Sequence, residues 1–514
     1  MKQFLIAFSI LLLAAPAYAE ISVPNFFGNH MVLQQGGKAK LWGRADAGAS
    51  VTVSFKDAQT TTKVGHNGKW SVEINTGTAD SKGADLTITS GKDTLKIKDV
   101  LVGEVWLASG QSNMAFTVSR SENATEEIAA ADYPGLRMFN ASSVTAADPM
   151  EDIAGSWTLT SAETAGNYSA VAYYFARKLH KDLGVPVGVI KTAWGGKPVE
   201  TFTSREALSS IPETKEMVTR LLEADRTFDP QKANQQYEKR LESWNKAVKS
   251  WREKGNTAGK RAPRRPGKPK RPLLTEGQPG VLYNAMIHPF VGYTMKGAIW
   301  YQGEANAREG KVPYDITLPL MINDWRSRWG INFSFLYVQL ANFKTVRTNP
   351  GDNDPWPLLQ NRMRLVLDTT PKTGMATIND VGAANDIHPK NKQDPGTRLA
   401  RWALFHDYGK KDVVYSGPLY AGTMTEGNAI TAKFKSVGAG LKSRDGKALA
   451  RFEIQDANKE WHWATAEIMG KDSVRISSKS VSDPVAARYA WAANPEGANL
   501  VNSEGLPTSV FSTK

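Results

Sequence analysis

Three short segments, far apart in the chain, carry the residue types that acyl transfer needs. The first is Gly110-Gln111-Ser112-Asn113-Met114, reached through the apolar and β-branched run Leu101-Val102-Gly103-Glu104-Val105-Trp106-Leu107-Ala108. A serine on a sharp turn at the carboxyl end of a sheet strand holds its hydroxyl where a carbonyl can reach it. Gly110 permits a backbone that other residues resist. Taken alone, such a serine reads equally as a helix-capping turn. The second segment, Asn385-Asp386-Ile387-His388-Pro389, supplies a carboxylate and an imidazole on one loop. A hydroxyl is a weak nucleophile and needs an adjacent base, and the base needs an orienting group. The pattern therefore predicts Ser112 as nucleophile, His388 as general base and Asp386 as the orienting acid. His288 is the competitor for the base; it directly precedes Pro289, lacks a neighbouring carboxylate, and otherwise reads as packing or substrate-lining. The third segment, Ala298-Ile299-Trp300-Tyr301-Gln302-Gly303-Glu304-Ala305-Asn306, runs from a buried strand into a polar, glycine-containing loop.

These groups converge only if the elements around them form one sheet. Apolar runs at 187–190, 297–300, 333–340 and 374–378 read as buried strands, and helical patterns such as Tyr173, Phe175, Ala176 and Leu179 separate them. A further helix follows His388 through Arg398, Leu399, Trp402 and Phe405. Strands alternating with helices predict an α/β fold with a parallel sheet covered on both faces, whose chemistry gathers at the carboxyl ends of the strands. Before it, residues 39–43, 50–55, 69–74 and 84–89 alternate apolar and polar with turn residues between them. This predicts an antiparallel β-sandwich. Residues 429–434, 473–477 and 488–491 predict a second, smaller β domain near the C-terminus.

Gly110-Gln111-Ser112-Asn113-Met114, Trp300-Tyr301-Gln302-Gly303-Glu304-Ala305-Asn306 and Asp386-Ile387-His388-Pro389-Lys390-Asn391-Lys392-Gln393 resemble, in this order, the sialate O-acetylesterase family of the SGNH hydrolases. Ala193-Trp194-Gly195-Gly196-Lys197-Pro198 and Asn284-Ala285-Met286-Ile287-His288-Pro289 are similar to further segments of that family. The likeness runs from about Val23 to the C-terminus, interrupted by one insertion. It implies a doubly wound three-layer α/β/α sandwich flanked by N- and C-terminal β-sandwich-like domains. The expected division is a signal peptide over 1–19, a β domain over 20–100, the hydrolase domain over 101–415 and a C-terminal β domain over 416–514. The implied activity is removal of acetyl groups from sugars, without a cofactor. The oxyanion needs preorganised donors. The resemblance assigns these to the Ser112 N–H, the N–H of Gly196 or Gly195, and a side chain of the third segment, Gln302 first and Asn306 second. Many SGNH enzymes place an aspartate three residues before the histidine. Here that position is Asn385, so Asp380 and a backbone carbonyl remain alternatives to Asp386. Glu304 is expected to brace its loop, since a glycosidase would need it paired with a second carboxylate across a cleft.

Composition narrows the class. A chain of 514 residues suggests two or three domains. Met1-Lys2-Gln3, the apolar stretch Phe4 to Ala15 and Ala17-Tyr18-Ala19 read as a secretory signal, so the expectation is export across the inner membrane into the periplasm, without stable membrane insertion. The absence of cysteine excludes disulfides and thiol catalysis. The seven histidines show no metal-ligand spacing, so no metal is expected. The net charge of +13 is local: between Gln231 and Pro272, fourteen Lys or Arg less three acidic residues leave +11. That is a basic insertion, within 205–280, and no nucleic-acid-binding motif accompanies it. Tyr237, Leu241, Trp244, Val248 and Trp251 recur at helical spacing within it and predict an amphipathic helix. The helix is expected to pack on the α/β domain or a second copy of the chain. The Gly-, Pro-, Lys- and Arg-rich stretch 255–272 is expected to be a mobile loop.

The expected partner is an acetylated carbohydrate. Trp194 and Trp300, beside the site segments, are candidates for sugar contact, with packing as the alternative. Sialate carries a carboxylate and calls for a pocket cation. Lys197 is a candidate only through its place next to Gly196, so acetylated plant polysaccharide fragments such as xylan or xyloglucan are favoured. A non-catalytic carbohydrate-binding protein and a glycoside hydrolase are the alternatives from other classes.

Overall fold

The computed structural model describes residues 20–253, 261–351 and 353–514. The expected signal peptide lies outside the described residues. The chain forms a mixed sheet whose path runs Thr373–Ala376, Ser334–Val338, Gly297–Tyr301, Asp93–Gly110, Val187–Ala193, Tyr133–Asn140 and Trp157–Thr160. Every pairing on that path is parallel except the last, between Tyr133–Asn140 and Trp157–Thr160. Gly297–Tyr301 and Ser334–Val338 are buried at every position, as strands in the middle of a covered parallel sheet must be. The helices Ala170–Leu183 and Gln393–His406 pack on each other, as do Tyr314–Trp329 and Pro355–Thr369.

The central strand Asp93–Gly110 is unusually long, 18 residues. Its first half pairs antiparallel with Asp80–Ser90, and its second half pairs parallel with Val187–Ala193 and Gly297–Tyr301. One strand thus belongs both to the N-terminal β region and to the α/β sheet. The apolar core is continuous across it, from Ile21 to Leu419, and Ala493 joins it from the C-terminal region. The boundary expected at residues 100 and 101 falls inside this strand, because the alternation that marks a half-exposed strand gives way to full burial without any turn. The alternation itself is borne by the N-terminal strands Ser50–Phe55 and Lys69–Asn75, where buried residues occupy every second position. The C-terminal strands gather a separate core around Ile430, Phe434, Phe452, Val474, Tyr489 and Phe511.

The basic insertion contains the helix Pro230–Glu253. Of its apolar stripe only Tyr237 is fully buried. The expected cover by the α/β domain or a second copy is met in part by the insertion itself. Trp244 donates its indole N–H to Pro263 O at 2.8 Å, and Arg265 lies over its ring at 5.8 Å. Arg271 forms a fork on Asp225, at 2.7 and 2.9 Å. The described part of the basic stretch is thereby tied down, where composition alone predicts a mobile loop. Residues 254–260 lie outside the described residues.

Where the central strand ends, Gly110 is in register with Ala193 on one side and Tyr301 on the other. Its φ is 136°, and a Cβ there would stand 2.2 Å from Tyr301 O. No side chain fits without moving a neighbouring strand. Gly110→Ala is therefore expected to cost roughly 1–3 kcal/mol of stability, read as a lower melting temperature, and to displace the turn that follows.

Candidate active site

The turn after Gly110 opens into a short helix, Ser112–Ala115, held by Gln111 N donating to Tyr301 O at 2.9 Å. Ser112 thus stands at the carboxyl edge of the sheet, between the loops that follow Val187–Ala193 and Gly297–Tyr301. Gly195 closes over it: a Cβ at 195 would lie 3.3 Å from Ser112 Cβ and 3.9 Å from Ser112 N. Gly196 has φ 68°, a left-handed conformation that glycine adopts without penalty. Among the described residues, neither the Ser112 N–H nor the Gly196 N–H has an acceptor.

His388 reaches this point from a loop beyond Thr373–Ala376. Its Nε2 is 2.8 Å from Ser112 Oγ, hydrogen-bond distance, although 276 residues separate them. Asp386 accepts from the backbone N–H of His388 at 2.8 Å through Oδ1, and the same oxygen is 3.7 Å from Nδ1 of the ring. That separation is too long for a hydrogen bond to the imidazole. The Asp386 side chain is half exposed. Asp380 is occupied elsewhere: Arg398 binds both of its oxygens, at 2.7 and 3.0 Å, and Arg444 adds a third bond at 3.1 Å. The Phe116 ring lies nearly parallel to His388 at 6.4 Å. Burial pushes the imidazole below its usual range. Asp386 opposes this, and Lys392 and Arg120 reinforce it.

The third segment behaves differently from its sequence reading. Gln302 is fully buried; its amide donates to Lys197 O at 3.1 Å and Asn306 Oδ1 at 2.7 Å, and its carbonyl accepts from Tyr314 OH at 2.6 Å. Both amide hydrogens are engaged, so a bond to an acyl oxygen requires releasing one of them. Asn306 is buried as well, accepting from Val199 N at 3.0 Å and donating to the Glu200 carboxyl at 3.1 Å. Burial raises Glu200, and the bond from Asn306 opposes the shift. Both side chains thereby brace the loop that carries Gly195 and Gly196. Asn306 is not presented to a substrate.

Trp300 is a correction to the sugar-contact reading. It sits mid-strand, fully buried, with its indole N–H on Tyr314 OH at 3.1 Å. In a parallel strand covered on both sides, every position faces packing, so adjacency in sequence to the site does not bring the ring to solvent. Trp194 is half-buried beside Gly195, with Lys197 Nζ 5.8 Å from its ring. His288 is engaged with Met150 O at 2.8 Å and packs edge-on against Tyr283. Glu304 is buried and accepts from Asn113 Nδ2 at 2.5 Å. Three residues of the site escaped the sequence reading: Asn113, Phe116 and Lys392. Lys392 stands four residues after His388 within the matching segment Asp386-Ile387-His388-Pro389-Lys390-Asn391-Lys392-Gln393, a spacing that returns a side chain to the same loop.

Among the described residues no cluster of three or more His, Asp or Glu is placed to hold a metal ion, and no helix is long and apolar enough to cross a membrane. No protein-family model matches the sequence. A curated sialate O-acetylesterase from Rattus norvegicus is 31% identical over 77% of this chain and 75% of its own length. The chain belongs to the sialate O-acetylesterase family. The Mus musculus sialate O-acetylesterase is 28% identical over 92% of this chain and 89% of its own. A carbohydrate acetylesterase from Xanthomonas citri, whose crystal structure is known, is 32% identical, with a TM-score of 0.80 covering 96% of this chain and 99% of that one. Family membership makes the protein an esterase.

Two outcomes follow from the geometry. Burial lowers His388, so a reaction that uses its unprotonated imidazole as the base is expected to gain kcat/KM through an apparent pKa below the usual histidine value. Asp380→Asn leaves Arg398 short of its partner in a largely buried pair, so it is expected to cost about 3 kcal/mol in denaturant unfolding. A full loss of turnover at unchanged stability would instead make Asp380 the orienting acid.

Proposed function

We propose that the protein is a secreted carbohydrate O-acetylesterase working through an acetyl-enzyme on Ser112. The reading rests on one observation above others: the 2.8 Å contact between His388 Nε2 and Ser112 Oγ at the carboxyl edge of the sheet. Ser112 Oγ attacks the acetyl carbonyl carbon while its proton passes to His388 Nε2. Negative charge gathers on the carbonyl oxygen and is received by the open Ser112 and Gly196 N–H groups, with Gln302 as a third donor if it releases Lys197 O. Collapse breaks the ester bond, and the proton on His388 goes to the departing sugar oxygen. Water, activated by the same histidine, then releases acetate and restores Ser112. Asp386 favours the imidazolium through its charge and fixes the loop by holding the His388 N–H.

The supporting frame is an SGNH-type three-layer sandwich, with 101–415 as the hydrolase unit and 20–100 and 416–514 as flanking β units. Secretion rests on the composition of the first 19 residues. The substrate class is acetylated plant polysaccharide fragments, with O-acetyl sialic acid as the rival. Trp194, half-exposed beside the glycine loop, offers a sugar its aromatic face.

A purified Ser112→Ala protein is expected to lose several orders of magnitude in turnover on a small acetyl ester while keeping its melting temperature. Full activity would end this mechanism. Acetate release from acetylated xylan oligosaccharides, xyloglucan oligosaccharides and O-acetyl sialic acid decides the substrate. A strong preference for the sialate overturns the plant-polysaccharide reading, and release of free sugar in place of acetate overturns the esterase chemistry.

A further inference from the structure

Behind Ser112 and His388 lies a buried polar network that the mechanism above does not use. Lys392, Asn113 and Glu304 are 1%, 1% and 4% exposed. Asn113 is the residue after Ser112. Its Nδ2 donates to Glu304 Oε1 at 2.5 Å and to Ile387 O at 3.0 Å. Lys392 Nζ donates to Asn113 Oδ1 at 2.7 Å and to Pro389 O at 2.6 Å. The main-chain carbonyls immediately before and after His388 are therefore both tied to one network, which is also covalently joined to Ser112. The ammonium faces the Phe116 ring at 4.7 Å and the Tyr301 ring at 5.6 Å, a cation–π environment that compensates a buried charge. Phe116 in turn lies nearly parallel to the His388 ring, with the centroids 6.4 Å apart.

We propose that Lys392, bridged by Asn113 to Glu304, is a positioning residue for His388, clamping the backbone on both sides of the imidazole and setting the electrostatic field at its ring. The proposal rests on the assignment of His388 as the base. It accounts for an otherwise unexplained arrangement. A carboxylate that hydrogen-bonds Nδ1 would fix the ring directly, but Asp386 stands 3.7 Å away. The loop must be held by other means, and a lysine with two carbonyl-type acceptors supplies them from below.

The charge has a direction as well as a place. The charged groups acting on His388 are Asp386 on its own loop, Lys392 just before the following helix and Arg120 on the segment after the nucleophile turn. Only Asp386 favours the protonated ring. Burial brings Lys392 down to about 7, against the pull of Glu304. While it carries its proton, it disfavours a second positive charge nearby. A cation under the site keeps the histidine free to accept the serine proton. Glu304 Oε2 has no hydrogen-bond partner among the described residues, and burial raises that carboxyl. Its role is to face Lys392 through the Asn113 amide, which transmits the polarity of both ends.

The test uses the full chain with Lys392→Met, close to lysine in length and uncharged. Lys392→Gln, which keeps a donor without the charge, covers the case in which the methionine variant does not fold. Each is measured for kcat and KM on a small neutral acetyl ester, and the His388 ring is titrated by NMR, with His388→Gln identifying the signal. The expected result is a loss of about tenfold or more in kcat with KM nearly unchanged, and a His388 titration moved up by roughly half a pH unit or more, with the acid limb of kcat/KM moving alongside. A purely structural brace would lower the melting temperature without moving the titration. A folded variant with an unmoved titration, or with unchanged kcat, overturns the proposal. Full activity in His388→Gln would overturn the assignment of the base itself, a separate outcome from the first.

Discussion

The contact between Ser112 Oγ and His388 Nε2 sets the terms for the rest of the molecule. A 2.8 Å hydrogen bond between groups 276 residues apart tolerates little displacement. The two side chains come from different strand ends, so the sheet itself must be the ruler. A parallel sheet serves because its hydrogen-bond ladders fix strand against strand in register. Gly110, Ala193 and Tyr301 are brought level at one edge, and the loops that leave them share one small volume. The close approach of Gly110 to Tyr301 O is the tightest point of that register.

What the sheet does for Ser112, a set of polar contacts does for the histidine loop, which runs well beyond the end of its strand, Thr373–Ala376. Gly382 N donates to Asn342 Oδ1 at 2.6 Å, and Asn342 Nδ2 donates in turn to Asn494 Oδ1 at 3.1 Å. Arg444 and Arg398 together hold Asp380 at the start of the loop. Asn494 and Arg444 come from loops of the C-terminal region, so that region braces the loop that carries the imidazole. From beneath, Asn113 and Lys392 hold the carbonyls of Ile387 and Pro389. A loop fastened at so many points has little conformational freedom left to lose when substrate arrives, which is how pre-organisation favours a reaction.

The polar groups of the third segment illustrate how burial redistributes roles. Gln302, Asn306, Glu200 and Tyr314 satisfy one another in a region without solvent. A buried amide left unpaired costs about 1–3 kcal/mol, so this set closes on itself and stiffens the glycine loop above it. The donors left open at the site are main-chain N–H groups. Backbone donors keep their direction without any side-chain torsion having to be fixed.

Much of this was legible in the linear chain. Ser112 and His388 were readable because each sits in a short, chemically unusual segment, and the apolar runs before them announce strand ends. The alternating strands Ser50–Phe55 and Lys69–Asn75 and the fully apolar ones Gly297–Tyr301 and Ser334–Val338 declared their surroundings through periodicity alone, since side-chain direction is a local property of the backbone. Direction of another kind was not local. Whether Trp300 meets sugar or core, whether Gln302 has a free hydrogen, and whether Asp386 reaches Nδ1 depend on distances set by distant strands. The sequence by itself determined which groups are present and which elements carry them. Tertiary structure alone decided which of those groups remain unpaired at the site, because a hydrogen bond is made or lost over less than an ångström and no pattern of residue types encodes that.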